Sequence, residues 1–167
     1  ASGEKKMAYS LEVLAQVLGG GPTSKLYQKL VVELGIASGV GTWYMGNRLD
    51  YGEFGIYASP NAGGNVMDLE RVLFKELALL IDKGLTPADI QRAKRLITAR
   101  AIYARDGLKA GATAIGEAFT QGQSVADVEA WPNRIAAVST KNVVEAARTV
   151  FDIKKSVTSV LRPEVSK

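Results

Sequence analysis

The sequence predicts an α+β domain in which helices pack on one face of a small antiparallel sheet. Most of the chain carries apolar residues at helical spacing, whereas two runs, Ser38–Met45 and 52–58, alternate residue by residue. The chain has 167 residues, of which 47% are apolar. This size suits one domain over residues 1–167 with a sizeable core.

The first helix is predicted over residues 7–18, where leucines and valines recur at helical spacing. Thr23 or Ser24 can cap a second helix, which runs to about Leu34 and ends at Gly35. The turn between the two helices contains three consecutive glycines: Gly19, Gly20 and Gly21. Because three such residues in a row cost backbone entropy, they indicate a close approach of backbones or unusual dihedral angles.

The two alternating runs predict a β-hairpin. In the first run, Val40, Thr42 and Tyr44 lie on one side of the strand and Trp43 lies on the other. Trp43 and Tyr44 therefore point to opposite faces, so that one belongs to the core and the other is available for an interface or a peptide groove. The turn and the following loop are predicted at Gly46-Asn47, Asp50 and 59–64.

Further helices are predicted after the hairpin, at 66–84, from Thr86-Pro87 to Ala104, at 106–121 with a break near Asp106-Gly107, at 125–137 and at 140–151. The final run, Ser156–Leu161, alternates and is expected to return to the sheet as a third strand. Three strands are few for this many helices, so we expect a further strand upstream of residue 1. The first residues look like the start of a cut fragment and not like a signal peptide.

The composition excludes several kinds of chemistry. The chain contains no cysteine and no histidine. Thiolate catalysis, disulfides and cysteine-ligated zinc are therefore excluded, and the commonest metal ligand and general base are missing. The composition leaves catalysis by carboxylates or lysine open, but the acidic residues have no partner motif, so we expect no catalytic residue, no metal site and no cofactor in this chain. Its apolar runs are also too short for a membrane span.

Two features have more than one interpretation. The glycine segment before Lys25 superficially resembles a phosphate loop, but the required spacing is not met and a helix precedes it, so a structural turn is favoured. A basic run could bind nucleic acid, but it interleaves with an apolar stripe and has no neighbouring aromatic cluster, which favours a solvated helix face. The run consists of Arg92, Lys94, Arg95, Arg100 and Arg105.

Several segments, in this order, resemble the C-terminal-half domain of the insulinase/pitrilysin zinc peptidases, in their mitochondrial processing peptidase-like branch. The resemblance covers nearly the whole chain. Its segments are Leu18–Tyr27 (LGGGPTSKLY), Leu30–Ser38, Asp50–Phe54, Gly84–Lys94, Ile135–Ala147 and Leu161–Pro163.

The resemblance implies that zinc belongs to a partner N-terminal-half domain, where an H-x-x-E-H motif and a further glutamate form the site. In active members of the family the C-terminal-half domain contributes an Arg and a Tyr that hold the substrate. The matching substrate-binding positions here are Val31 and Ser38. Neither residue can replace the family's side chain, so a partner would have to supply that pair.

The resemblance thus implies a non-catalytic domain that helps to enclose a peptide-binding chamber. The expected partners are a sister zinc-binding domain or paired subunit and an unfolded peptide substrate, in a dimer, with no nucleic acid. The resemblance also favours an exported location for a bacterial parent. The alternatives are a purely structural assembly domain without proteolytic activity and a nucleic-acid-binding module that uses the basic helix.

Overall fold

A computed structural model of the protein describes residues 5–46, 52–104, 107 and 109–161. Within these residues it contains seven α-helices and one two-stranded antiparallel sheet. The strands are β1 (Ala37–Met45) and β2 (Glu53–Pro60). The helices are α1 (Lys5–Gly19), α2 (Lys25–Tyr27), α3 (Val66–Leu79), α4 (Pro87–Ala104), α5 (Ala110–Thr120), α6 (Val125–Ala137) and α7 (Thr140–Val150).

Helix α1 forms the centre of the fold. It packs against β1 on one side and against α4, α6 and α7 on its other sides. Its residues Val13, Leu14 and Leu18 have no exposed surface. A helix that is buried on several sides requires apolar residues beyond a single stripe, and the leucine–valine pattern of this segment provides them.

The hairpin turns one face toward the helices and the other away from them. In the antiparallel register, Val40 pairs with Ala58 and Thr42 pairs with Ile56. The side chains of Val40, Ile56 and Ala58 belong to the core or pack against it. The predicted fold class, helices on one face of an antiparallel sheet, is therefore confirmed.

The predicted third strand is wrong. Residues 156–161 follow a short 3-10 helix, Ile153–Lys155, and pair with no strand among the described residues. Val157 and Leu161 are 95% and 96% exposed. Their β-branched and alternating pattern favours extended backbone, but a strand also needs a neighbouring edge and an apolar surface to cover, and this segment reaches neither within the described residues.

The second helix departs from a regular α-helix. After α2 the chain continues as a π-helix over Gln28–Glu33. Ser24 lies at the N-cap position, but its side chain makes no capping hydrogen bond, and its buried Oγ has no partner among the described residues. The predicted N-cap position at Ser24 is thus correct, but the predicted side-chain hydrogen bond is not formed. Gly35 ends the segment with φ of 60°, a left-handed conformation that favours glycine.

The later helices follow their sequence signals. Ser124 and Ser139 begin α6 and α7 with complete capping boxes. Helix α3 continues as a π-helix over Leu80–Gly84. None of the described helices is long and apolar enough to cross a bilayer. Several predicted features lie outside the described residues: most of the hairpin turn (47–51), Asp106, and Arg162-Pro163.

Candidate functional site

The glycine turn lies where α1 meets the hairpin. A Cβ atom on Gly19 would lie 2.5 Å from the backbone nitrogen of Thr42, and Gly21 has φ of 135°. The Oγ1 hydroxyl of Thr42 donates a hydrogen bond of 2.6 Å to the carbonyl of Ala15 in α1. The missing side chain at Gly19 therefore lets a helix end and a strand touch backbone to backbone.

Helix α4 holds the same turn from its other side. The guanidinium of Arg100 donates to the carbonyl oxygen of Gly20 at 3.0 Å and to Oε1 of Gln16 at 2.8 Å. The turn thus has contacts with α1, β1 and α4. The amide of Gly20 donates at 3.2 Å to the carbonyl of Gln16 in α1, as in a structural turn, whereas a phosphate-binding loop directs its backbone amides at the phosphate.

Val31 and Ser38 lie at the two ends of a sharp corner between the π-helix and β1. Val31 is half-buried and packs against the core. Ser38 is exposed, and it is the extra residue of a β-bulge, because Ala37 pairs with Pro60 and Gly39 with Ser59. Its hydroxyl lies 3.3 Å from the carbonyl oxygen of Ser59 and 3.1 Å from that of Pro60. Both side chains therefore have intramolecular roles in the corner.

The corner between these two positions is held by main-chain hydrogen bonds. The amide of Ile36 donates to the carbonyl of Leu30 at 3.0 Å, and the amide of Asn61 donates to the carbonyl of Ile36 at 3.2 Å. The side-chain amide of Asn61 donates to the carbonyl of Gly35. A π-helix and a β-bulge on the two sides of one braced corner are irregularities that often occur at functional sites.

A groove of about 280 Å³ opens between α1, α4 and the β1 strand, and Glu12 and Arg100 contribute to its lining. Burial raises the pKa of the Glu12 carboxyl, although a hydrogen bond of 3.1 Å from the indole Nε1 of Trp131 partly opposes this. A carboxylate whose pKa is raised by burial destabilises the folded state at neutral pH.

Asp89 has the opposite environment. Its side chain is 5% exposed, and it accepts from Lys25 Nζ and Arg92 Nη2 at 2.8 Å each and from Thr86 Oγ1 at 2.7 Å. Burial opposes ionisation, but the hydrogen bonds from Lys25 and Thr86 outweigh it and hold the pKa of Asp89 below its ordinary value. This cluster joins α2 to the beginning of α4.

The basic run on α4 is only in part the solvated face that its sequence predicts, because Arg95 and Arg100 are exposed but Lys94 is buried. Lys94 is 8% exposed, and its Nζ donates at 2.8 Å to the carbonyl of Ala136 in the last turn of α6. Burial lowers the pKa of Lys94, while the helix dipole of α6 favours a positive charge at that position. Arg92 binds Asp89 and Arg100 binds the glycine turn, whereas Arg95 is exposed and Arg105 lies outside the described residues. Lys94 and Arg100 therefore connect α4 to α6 and to the glycine turn, whereas the pair of Arg92 with Asp89 lies within α4.

The described residues do not fit a zinc ion. They contain no group of three or more His, Cys, Asp or Glu side chains that could hold a metal. The chain as a whole also lacks histidine and cysteine, which supply most zinc ligands. We therefore derive no metal chemistry from this domain.

Comparison with known families decides the identity of the fold. Residues 4–97, more than half of the chain, match the family model of the peptidase M16 inactive domain. The chain belongs to this family. The resemblance to insulinase-type zinc peptidases is thereby confirmed, and the match is to the inactive domain of the family.

Individual relatives of the M16 domain agree with this assignment. An uncharacterised zinc protease of Streptomyces coelicolor is 30% identical over 158 residues, which cover 93% of this chain and 33% of the relative. An uncharacterised zinc protease of Rickettsia felis is 27% identical, over 86% of this chain and 34% of the relative. The chain thus spans about a third of the length of these curated relatives.

A crystal structure of an inactive peptidase domain from Bordetella parapertussis has the same fold. It superposes with a TM-score of 0.80 at 19% identity, and the match covers 97% of this chain and 87% of the other. At this level of identity the comparison establishes the fold and does not transfer any residue's role.

Sequence reasoning missed most of the polar contacts between helices. The Thr86-x-x-Asp89 spacing is a capping signal, and it does predict the hydrogen bonds between those two residues. The ion pair of Asp89 with Lys25 and the contact of Lys94 with α6 had no local signal, because they join segments that are distant in sequence.

Proposed function

We propose that this M16 domain is the non-catalytic lobe of a zinc peptidase, which forms part of the wall of a chamber for unfolded peptides. The observation that carries the proposal is the combination of family and composition: the chain belongs to a peptidase family and contains neither histidine nor cysteine. The zinc and its ligands would belong to a sister domain, in the part of the parent protein that the relatives contain and this chain does not.

The positions of Val31 and Ser38 support a passive role in substrate binding. An aliphatic and a hydroxymethyl side chain cannot make the charged and phenolic contacts of the family's Arg and Tyr. The hydroxyl of Ser38 is moreover placed against two carbonyl groups of β2. We therefore propose that the partner supplies the side chains that hold the substrate, and that this domain contributes part of the chamber wall and a surface on which the partner docks.

The proposal is tested by measuring zinc content and hydrolysis of an unstructured reporter peptide, for the 167-residue chain and for the intact parent protein. We expect no stoichiometric zinc and no hydrolysis for the chain alone, and chelator-sensitive hydrolysis for the parent. One tightly bound zinc per isolated chain would refute a non-catalytic role. A parent that holds no zinc and cleaves nothing would favour the purely structural assembly domain instead.

A further inference from the structure

The face of the hairpin that points away from the helices has an unusual composition. The outward positions include Gly39, Gly41 and Trp43 on β1, and Gly55, Tyr57 and Ser59 on β2. Among the described outward positions of the two strands, Glu53 at the hairpin end is the only charged residue. A sheet face that remains in water normally alternates to polar and charged residues, so this composition is typical of a face that becomes covered.

The two large residues of this face lie directly over glycines of the opposite strand. Trp43 pairs with Gly55, and Gly41 pairs with Tyr57. A Cβ on Gly41 would lie 2.5 Å from the Tyr57 ring, and a Cβ on Gly55 would overlap the Trp43 ring. The ring centroids are 6.3 Å apart with the planes inclined by 30°. The glycines therefore allow both rings to lie close to the sheet and to each other.

We name this arrangement the aromatic face (Gly41, Trp43, Gly55 and Tyr57), and both of its rings already pack against the opposite strand without any partner. Tyr57 is 59% exposed, so its position over Gly41 leaves much of its surface in water. Aromatic side chains that are held in place lose little conformational entropy on binding, which makes them effective anchors at the centre of protein interfaces.

We infer that the aromatic face is the surface on which the sister zinc-binding lobe of the same parent protein docks. This inference rests on the proposed function. The relatives contain about twice as much polypeptide outside the matched region as within it, since the chain covers 33% and 34% of them. The face is nearly free of charge and its large residues are Trp43 and Tyr57, which is the composition of the core of an interface between two folded domains.

The contrast between two tyrosines provides the test. Tyr57 lies on the aromatic face and Tyr103 lies on α4, and they are 59% and 74% exposed. Hydroxyl-radical footprinting with mass spectrometry measures the oxidation rate of each side chain in the 167-residue chain and in the intact parent protein. We expect Tyr57 to become about fivefold less reactive in the parent, as burial in an interface core requires, while Tyr103 changes by less than about twofold.

Each outcome decides between specific alternatives. If the parent binds zinc and hydrolyses peptide while Tyr57 stays as reactive as in the chain alone, the docking inference is wrong and the proposed function stands. If Tyr57 is protected in a parent that holds no zinc, the face is an interface but its partner is not a zinc-binding lobe, and both the inference and the proposed function fail. Protection that increases with the concentration of the isolated chain would assign the face to a second copy and overturn the inference.

Discussion

A glycine allows a close contact on each face of the hairpin, but the neighbouring atoms differ. The glycine at the inner face, which points toward the helices, is Gly19 of α1, and the glycine at the outer face is Gly41 of β1. On the inner face, a Cβ at Gly19 would meet the backbone nitrogen of Thr42 at 2.5 Å. On the outer face, a Cβ at Gly41 would meet the Tyr57 ring, also at 2.5 Å. The backbone of a buried strand cannot move aside, whereas an exposed ring can. Gly19 is therefore required for the packing of α1 against β1, whereas Gly41 determines how closely the exposed Tyr57 ring lies to the sheet.

The largest effect is expected for Gly19→Ala on the inner side. The added methyl group would have to separate α1 from β1 at a point where a hydrogen bond joins them. Overpacking of this kind costs about 3 kcal/mol in the free energy of unfolding, which urea denaturation measures. A loss below about 0.5 kcal/mol, the size of an ordinary surface effect, would show that the turn tolerates a side chain and that the close approach is unimportant.

The next largest effect is expected in the polar cluster around Asp89 that joins α2 to the beginning of α4. Asp89→Asn removes the charge that pairs with Lys25 and Arg92, and we expect it to cost about 2 kcal/mol at neutral pH because both cations lose their anionic partner. Asp68→Asn is the matched control. Asp68 forms an exposed pair with Arg71, and such pairs contribute less than about 1 kcal/mol.

The pH dependence of the Asp89 effect has a defined sign. The pKa of Asp89 is held below its ordinary value in the folded state, so its contribution is complete above the unfolded pKa of about 3.9 and disappears as the pH falls through the lower folded value. Urea denaturation from pH 7 downward should therefore show the wild type and Asp89→Asn converging only in acid. A difference that stays constant down to pH values below about 2 would contradict the charged role of Asp89.

A smaller effect is expected for Gly41→Ala on the outer face. The methyl group would displace the end of the Tyr57 side chain, which can rotate toward solvent, so the loss of stability should be about 1 kcal/mol or less. Near-ultraviolet circular dichroism should report the altered packing of Tyr57 and Trp43. If Gly41→Ala were as destabilising as Gly19→Ala, the Tyr57 ring would be as unable to move aside as the β1 backbone, and the contrast between the two faces would be wrong.

The sequence predicts the inner face better than the outer one. The period of Leu14 and Leu18 and the alternation of Val40, Thr42 and Tyr44 are local patterns that follow from burial on one side. The pairing of Trp43 with Gly55 depends on the register of the hairpin, which no local sequence pattern predicts. For the same reason the sequence predicts Lys94 on a solvated helix face, although it is buried: its partner carbonyl belongs to a helix about forty residues later.

The failed third strand has a related cause. Local β-propensity in Ser156–Leu161 carries no information on whether a strand edge is available, and the segment forms no strand within the described part of the chain. The site residues show the same limit. The resemblance fixed where Val31 and Ser38 align, but only the structure revealed the β-bulge at Ser38 and its contacts with β2.

The central claim is that this domain acts through docking and not through chemistry. Its most direct test compares Tyr57→Ser with Tyr103→Ser in the intact parent protein, with peptidase kcat/KM and bound zinc as the two measurements. For Tyr57→Ser we expect kcat/KM to fall about tenfold, as for the loss of an interface anchor, with the zinc content unchanged. Tyr103→Ser should match the wild type in both. Equal activity of the two variants, or loss of zinc from Tyr57→Ser, would contradict the account.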